Sequence, residues 1–202
     1  MMRGTAHAII GGAAGAVLAA LTHTPVMPLA LVGALGGLLP DADHPYSTIG
    51  RYIPWPTTER QGRGDFVLHG RRWFGGQTIW HRGETHSVGG AAIAGIGAGG
   101  ITVLLSRWAR GSAGVAAALG RVGLHPHPWV WGSFACTALA AGYCSHLVAD
   151  TANRSPQMLW WPFQRRMVHP PWRGVREASP TGHAVEWAAA LVAAVGALLV
   201  VR

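Results

Sequence analysis

The chain contains no lysine, only two cysteines and only eight acidic residues among its 202. Charged residues make up 12% of it, against about a quarter in soluble domains, and every one of the sixteen basic residues is arginine. This scarcity of charge excludes two classes. A disordered chain combines few apolar residues with dense charge, whereas half of these residues are apolar and the mean hydropathy is +0.24. A nucleic-acid-binding domain needs denser positive charge than a net +8 gives a chain of this length, so no nucleic-acid partner is expected. Cys136 and Cys144 lie eight residues apart in one apolar run, too far along a helix to bond each other, and say nothing of the redox compartment. Neither belongs to a Cys-x-x-Cys pair, so a thiolate zinc site is not expected. Any metal must be held by carboxylates and by the eleven histidines.

What is present is long apolar sequence. Five runs approach the roughly 20 residues that cross a bilayer core: Thr5 to Leu21, Val26 to Leu39, Ser87 to Ser106, Val130 to Ala149 and His183 to Val201. The expected fold is therefore all-α, a polytopic membrane helical bundle of about five apolar segments forming one domain over residues 1–202. The bilayer is its first partner. The first two runs are short and rich in Gly and Ala, which fits a tight helical hairpin around Pro25 and Pro28. Gly11, Gly12, Gly15, Gly33, Gly36 and Gly37 let helix backbones approach closely, and such packing drives association in lipid. Met1 to Leu21 also has the basic start and small residues of a signal peptide, but His7 inside the run argues against a cleaved segment.

Arginine counts set the orientation, because loops rich in Arg stay in the cytoplasm. If all five runs cross, the N-terminus and the linkers Asp41 to His86 and Asp150 to Gly182 share one side with twelve Arg, and the other side holds four. The N-terminus and both long linkers are thus expected in the cytoplasm. Trp108, Trp129 and Trp131 at one end, with Trp80, Trp160, Trp161 and Trp187 at the other, fit two interfacial aromatic belts.

Charges near lipid are costly, which makes their placement informative. Taken singly, Asp41, Asp43 and Asp150 are the first solvated residues after a helix. Their company gives them a second meaning. Leu39-Pro40-Asp41-Ala42-Asp43-His44-Pro45 puts two carboxylates and an imidazole within four residues, between prolines that stiffen the backbone. His81-Arg82-Gly83-Glu84-Thr85-His86-Ser87 adds two imidazoles and a guanidinium just before the third run. Ser145-His146-Leu147-Val148-Ala149-Asp150 places His146 and Asp150 at i and i+4, on one helix face. His7 lies one turn into the first run. Under the five-crossing reading all of these fall on the cytoplasmic side and can converge. His23, His125 and His127 fall on the far side, and His69 and His169 stand alone in loops, so all five read as surface histidines.

The early His7, Leu-Pro-Asp-x-Asp-His at Leu39 to His44, His-Arg-Gly-x-Thr-His-Ser at His81 to Ser87, Ser-His-x-x-x-Asp at Ser145 to Asp150 and Leu-Trp-Trp-Pro-Phe at Leu159 to Phe163 together resemble the bacterial inner-membrane metal-dependent hydrolases of the DUF457, YdjM-like group. The resemblance runs from His7 to about Glu186. It implies a multi-pass protein of the bacterial cytoplasmic membrane with metal-dependent hydrolase activity and a remote likeness to zinc-dependent phospholipase C. Carried over, it marks His7, Asp41, Asp43, His44, His81, His86, His146 and Asp150 as metal ligands. One departure is Asn153-Arg154-Ser155-Pro156-Gln157, which stands where the group has a Gly-Val stretch. Glu84 holds a variable position and is not taken as the catalytic base.

Mixed imidazole and carboxylate donors suit Zn first, or Mn or Fe, over Mg or Ca. Eight donors are enough for two ions, which would acidify a bridging water and clamp an ester oxygen. Asp43 is the expected bridging or water-orienting carboxylate, and Arg82 the expected partner of a phosphate, with Arg165 and Arg166 as further phosphate partners. The leading expectation is a membrane-embedded hydrolase acting at the cytoplasmic face on a phosphoester or other ester of a lipid or membrane-associated substrate. The alternative is a metal-binding transporter or sensor without turnover. A transport path needs polar groups in both halves of the membrane, and the far halves of these runs carry almost none. A purely structural protein, its histidines merely capping helices, leaves the convergence unexplained.

Orientation is directly testable by cysteine labelling in a background lacking Cys136 and Cys144. Positions near Arg63 and Arg173 should be protected in intact cells and positions near Gly114 labelled from outside. Labelling of the two long linkers on different sides would remove the convergence.

Overall fold

The computed structural model describes residues 4–54, 56–61, 67–72, 78–121, 127–152, 156–168 and 180–201. Among the described residues six α-helices are seen: α1 (Gly4–Leu21), α2 (Val26–Leu38), α3 (Val88–Gly111), α4 (Ala113–Arg121), α5 (Pro128–Asp150) and α6 (Pro180–Val201). The fold is an all-α membrane bundle. Four described helical segments are long and apolar enough to cross a membrane: Gly4–Leu21, Val26–Asp43, Val88–Gly111 and His183–Val201. α5 is not among them, although its 23 residues give it the length. It is the central helix, packed on α1, α2 and α3, and this enclosure lets it carry Tyr143, His146 and Asp150. α6 rests on α1.

Two parts of the polar linkers take up structure that the apolar runs did not announce. The linker after the third run contains α4. The first long linker contains a small antiparallel sheet in the order β1 (Thr57–Gln61), β2 (Val67–Arg72), β3 (Thr78–Trp80), with Thr57 opposite Arg71 and Gly70 opposite Trp80.

α1 and α2 form the expected hairpin. His23, with φ 52, takes the left-handed conformation that ends α1, the Thr24 N–H returns to the Ala19 carbonyl at 3.0 Å, and Pro25 stands at the N-cap of α2. The helices then pack backbone to backbone. A Cβ on Gly37 would strike the His7 carbonyl, one on Gly33 the Gly11 carbonyl, and one on Gly142 the Gly33 carbonyl. α2 is thus held between α1 and α5 at distances that only glycine permits. Apolar contacts fill the rest: Ala91, Leu139, Tyr143 and Leu147 form one buried cluster, and Ala19, Leu29 and Ala138 another.

The outer wall is the reverse of a soluble protein's. Ile93, Ile96, Leu104 and Leu105 of α3, with Leu191, Val192, Leu198 and Leu199 of α6, are each more than half exposed. Apolar surface of this extent belongs against a partner, here lipid. The interior stripes are the small residues, the outward ones the large.

Close packing makes one glycine a sharp probe. Gly142→Val should lower the thermal midpoint of the detergent-solubilised protein, at a cost of about 1 to 3 kcal/mol for a side chain driven into a filled interface. Gly97→Val, where an added Cβ meets nothing within 4 Å, should leave the midpoint unchanged. Equal midpoints would contradict the α2–α5 contact.

Candidate metal centre

Four segments end at one end of the bundle, and each delivers donors there. His7 sits one turn into α1. After α2, Pro40 opens a tight 3-10 turn, Leu39–Asp43, that carries Asp41 and Asp43. Ser47, which is buried, donates its hydroxyl to the Asp41 carbonyl at 2.6 Å and accepts the Gly50 N–H at 2.8 Å, pinning the following loop. His81 to His86 form the approach to α3, whose N-cap Ser87 accepts the Gly90 N–H at 3.0 Å. Residues 157–161 of the third linker close over that helix start. The Leu159 and Trp161 carbonyls accept the Val88 and Gly89 N–H groups, and the Met158 N–H donates to the Arg82 carbonyl. Helix starts expose such unpaired donors, so the Leu-Trp-Trp-Pro-Phe segment acts here as a backbone cap. His146 and Asp150 occupy the last turn of α5.

The side chains converge. His7, His146 and Asp150 form one group able to hold a metal ion, and Asp41, His81 and His86 another. The groups interlock: His86 Nε2 lies 3.4 Å from Asp41 Oδ1 and 3.6 Å from Asp150 Oδ2. His146 Nε2 lies 3.6 Å and 3.7 Å from the same two oxygens and 3.4 Å from His86 Nε2. These separations exceed ordinary hydrogen bonds. They match the spacing between neighbouring donors on a tetrahedral ion, about 3.4 Å for bonds of about 2.1 Å.

Three further observations fit a cation. His146 Nδ1 lies 2.7 Å from the Gly37 carbonyl, which only accepts, so the ring donates there and turns its Nε2 lone pair to the cluster. His81 Nδ1 likewise donates to Asp43 Oδ1 at 2.8 Å and presents Nε2 toward Asp41, 4.0 Å away. His7 is buried and stacked on His146 with ring centroids 3.6 Å apart, and its Nδ1 meets no hydrogen-bond partner. The His7 nitrogen that faces the donors is Nε2, 3.5 Å from Asp150 Oδ1.

Protonation at the loop histidines follows from their neighbours. Burial pulls the His86 pKa below the ordinary imidazole value, against the neighbouring Asp41 carboxylate, which favours the cation. Burial also works against charge on His81, but the Asp43 carboxylate outweighs it, with help from Asp41, and raises the pKa. His86 therefore holds its lone pair in readiness, whereas His81 must release a proton to ligate.

The remaining expected site residues stand around these donors. Asp43 has both oxygens engaged, one by His81 and the other by the Thr85 hydroxyl. In this arrangement it orients His81. His44 is buried and packs edge-on against His81 with centroids 4.6 Å apart, in neither donor group. Its Nδ1 accepts the Tyr46 N–H at 3.2 Å, so its proton sits on Nε2. Arg82 is buried and reaches Asp150 Oδ2 at 3.3 Å from a backbone with φ 64. His23 and His127 are exposed at a distance from the site, and Arg165 and Arg166 are exposed as well. His125, His169, Asn153, Arg154 and Ser155 lie outside the described residues, as do Arg3, Arg63, Arg173, Arg176 and Arg202 of the orientation count.

Thr85, Ser47, Tyr143 and the Gly37 carbonyl were not foreseen. Thr85 was visible as the polar residue beside His86. Tyr143 donates to the Thr85 carbonyl from α5 and, one helical turn before His146, was open to the same i, i+3 reasoning.

The YdjM inner membrane protein family matches residues 1–202, and the chain belongs to that family. No curated protein and no solved structure matches it.

Metal content should follow the converging donors. Purified protein should hold one or two equivalents of transition metal, lost in His146→Ala and Asp150→Ala and kept in His127→Ala. Asp43→Asn and Thr85→Val should keep the stoichiometry and weaken affinity about 10- to 100-fold, the usual cost of losing an orienting partner. Equal metal in all variants would remove the assignment.

Proposed function

We propose that the protein is a membrane-embedded metal-dependent hydrolase, with its centre at the cytoplasmic face, acting on a phosphoester or other ester of a lipid or membrane-associated substrate. The observation that carries the reading is the set of His86, His146, Asp41 and Asp150 donor atoms held 3.4 to 3.7 Å apart in a buried cluster. A bound zinc-type ion would supply Lewis acidity and an acidified water. His7, Asp41, His81, His86, His146 and Asp150 would hold one or two such ions.

The surrounding residues divide the other tasks. Asp43, fixed by Thr85, holds His81 in the tautomer that ligates. Arg82 balances the charge of Asp150, and its forked guanidinium would suit an anionic phosphate oxygen beside the residues that would hold the ion. His44, with its proton on Nε2, has the form of a donor to a departing alkoxide. The cytoplasmic placement is supported by the arginine asymmetry, twelve against four.

Detergent-purified protein loaded with zinc should hydrolyse members of a panel of phosphoesters, and chelator should abolish the reaction. His86→Ala should be inactive, and Arg82→Gln should lose rate toward phosphate esters more than toward carboxylate esters. Both metal loading and rate should rise with pH through the neutral range, because imidazoles must shed protons to ligate and the raised pKa of His81 moves that requirement upward. A metal-loaded wild type inert toward every ester would favour the transporter or sensor reading.

A further inference from the structure

A groove of about 710 Å³ runs between α3 and α5 on the outer wall, lined by Gly99, Gly100, Val103, Leu104, Trp129 and Gly132 among others. Its volume is that of a ligand site, about 300 to 1,000 Å³. Gly99 and Gly132 let α3 and α5 meet at its floor, where an added Cβ on either would meet the other helix, and Gly100 leaves its side open, an added Cβ there meeting nothing within 4 Å. The polar residues in its wall are turned away from it chemically. Ser133 donates its hydroxyl to the Trp129 carbonyl at 2.8 Å, and Thr137 donates to the Ser133 carbonyl at 2.9 Å. Both are satisfied within α5, so the wall offers an occupant apolar contact.

The groove lies far from the metal centre. α3 begins and α5 ends at the donors, so the end of α3 and the start of α5, where Trp129 lies, are at the opposite membrane face. There the Arg107 guanidinium stands over the Trp129 ring, 5.9 Å from its centroid. Arg107, Arg110 and Arg121 fall between Glu84 and Asp150, a stretch without a single acidic residue.

We propose that this groove binds an anionic phospholipid of the leaflet opposite the metal centre, an acyl chain lying along Gly99, Gly100 and Gly132 and the phosphate pairing with Arg107. Charge complementarity selects this occupant. A second copy of the chain docked by the same face would set Arg107 and Arg110 against their equivalents without a carboxylate between them, which like-charge repulsion opposes. The site is independent of the metal centre and of turnover.

Native mass spectrometry of the detergent-purified protein, titrated with phosphatidylglycerol or phosphatidylcholine, tests it. The wild type should retain one phosphatidylglycerol under activation that strips phosphatidylcholine. Arg107→Gln should reduce that retention about fivefold, the factor for about 1 kcal/mol per basic residue at an anionic surface, and Arg121→Gln should not. Gly100→Phe, which fills open space, should also lose the lipid, and if it fails to fold Arg107→Gln decides alone. Equal retention of the two lipids, or unchanged retention in Arg107→Gln, would overturn the proposal. So would a lipid-free dimer that Gly100→Phe dissociates, since it would give the groove to a second copy.

Discussion

Three buried carboxylates, Asp41, Asp43 and Asp150, crowd one end of a bundle whose walls are apolar, and the rest of the structure answers to their charge. A buried charge without compensation costs several kcal/mol. Arg82 supplies one positive charge at 3.3 Å from Asp150. A single divalent cation would supply the other two and leave the cluster neutral, whereas protons on the imidazoles would compensate it at the expense of the lone pairs now aimed inward. The helix packing serves the same requirement. Gly37 allows α1 to lie against α2, bringing His7 beside His146, and its carbonyl takes the His146 proton that would otherwise point into the cluster.

The two ends of the bundle and its flank therefore follow different chemistry. At the donor end, hydrogen bonds from Ser47, Thr85, Ser87 and the 157–161 backbone fix loops that would be free in water, because each donor must hold its position for a ligand shell to form. Along the flank, large side chains face lipid and small ones face the interior. α5 joins both regimes: it is polar because it is enclosed, and enclosure is what allows Asp150 to lie at depth beside two imidazoles.

Much of this was legible in the sequence. Apolar runs announced the helices, since length and hydropathy are properties of local segments. His146 and Asp150 share a face at a fixed helical offset, and the pattern of crossings brought His7, Asp41, His81 and His86 to the same end. What could not be read was which nitrogen or oxygen each residue turns inward. Asp43 and Asp41 are two residues apart with the same chemistry, yet one orients His81 and the other faces the ligands, a division made by Thr85 and Ser47 from other parts of the loop. Arg82 looked outward to substrate in the sequence and is held by Asp150 from a helix 68 residues away. The β1–β3 sheet and α4 were silent for another reason: the strands are short and polar, and α4, at nine residues, is too short to stand out as an apolar run.

The claim on which the account stands is that imidazoles and carboxylates from four segments share an ion. The X-ray absorption spectrum of the metal bound to the purified protein reads that shell directly. The account predicts nitrogen and oxygen donors at about 2.0 to 2.2 Å, with the outer-shell scattering of at least two imidazole rings. A shell without imidazole scattering, or one containing sulfur at about 2.3 Å, would contradict it.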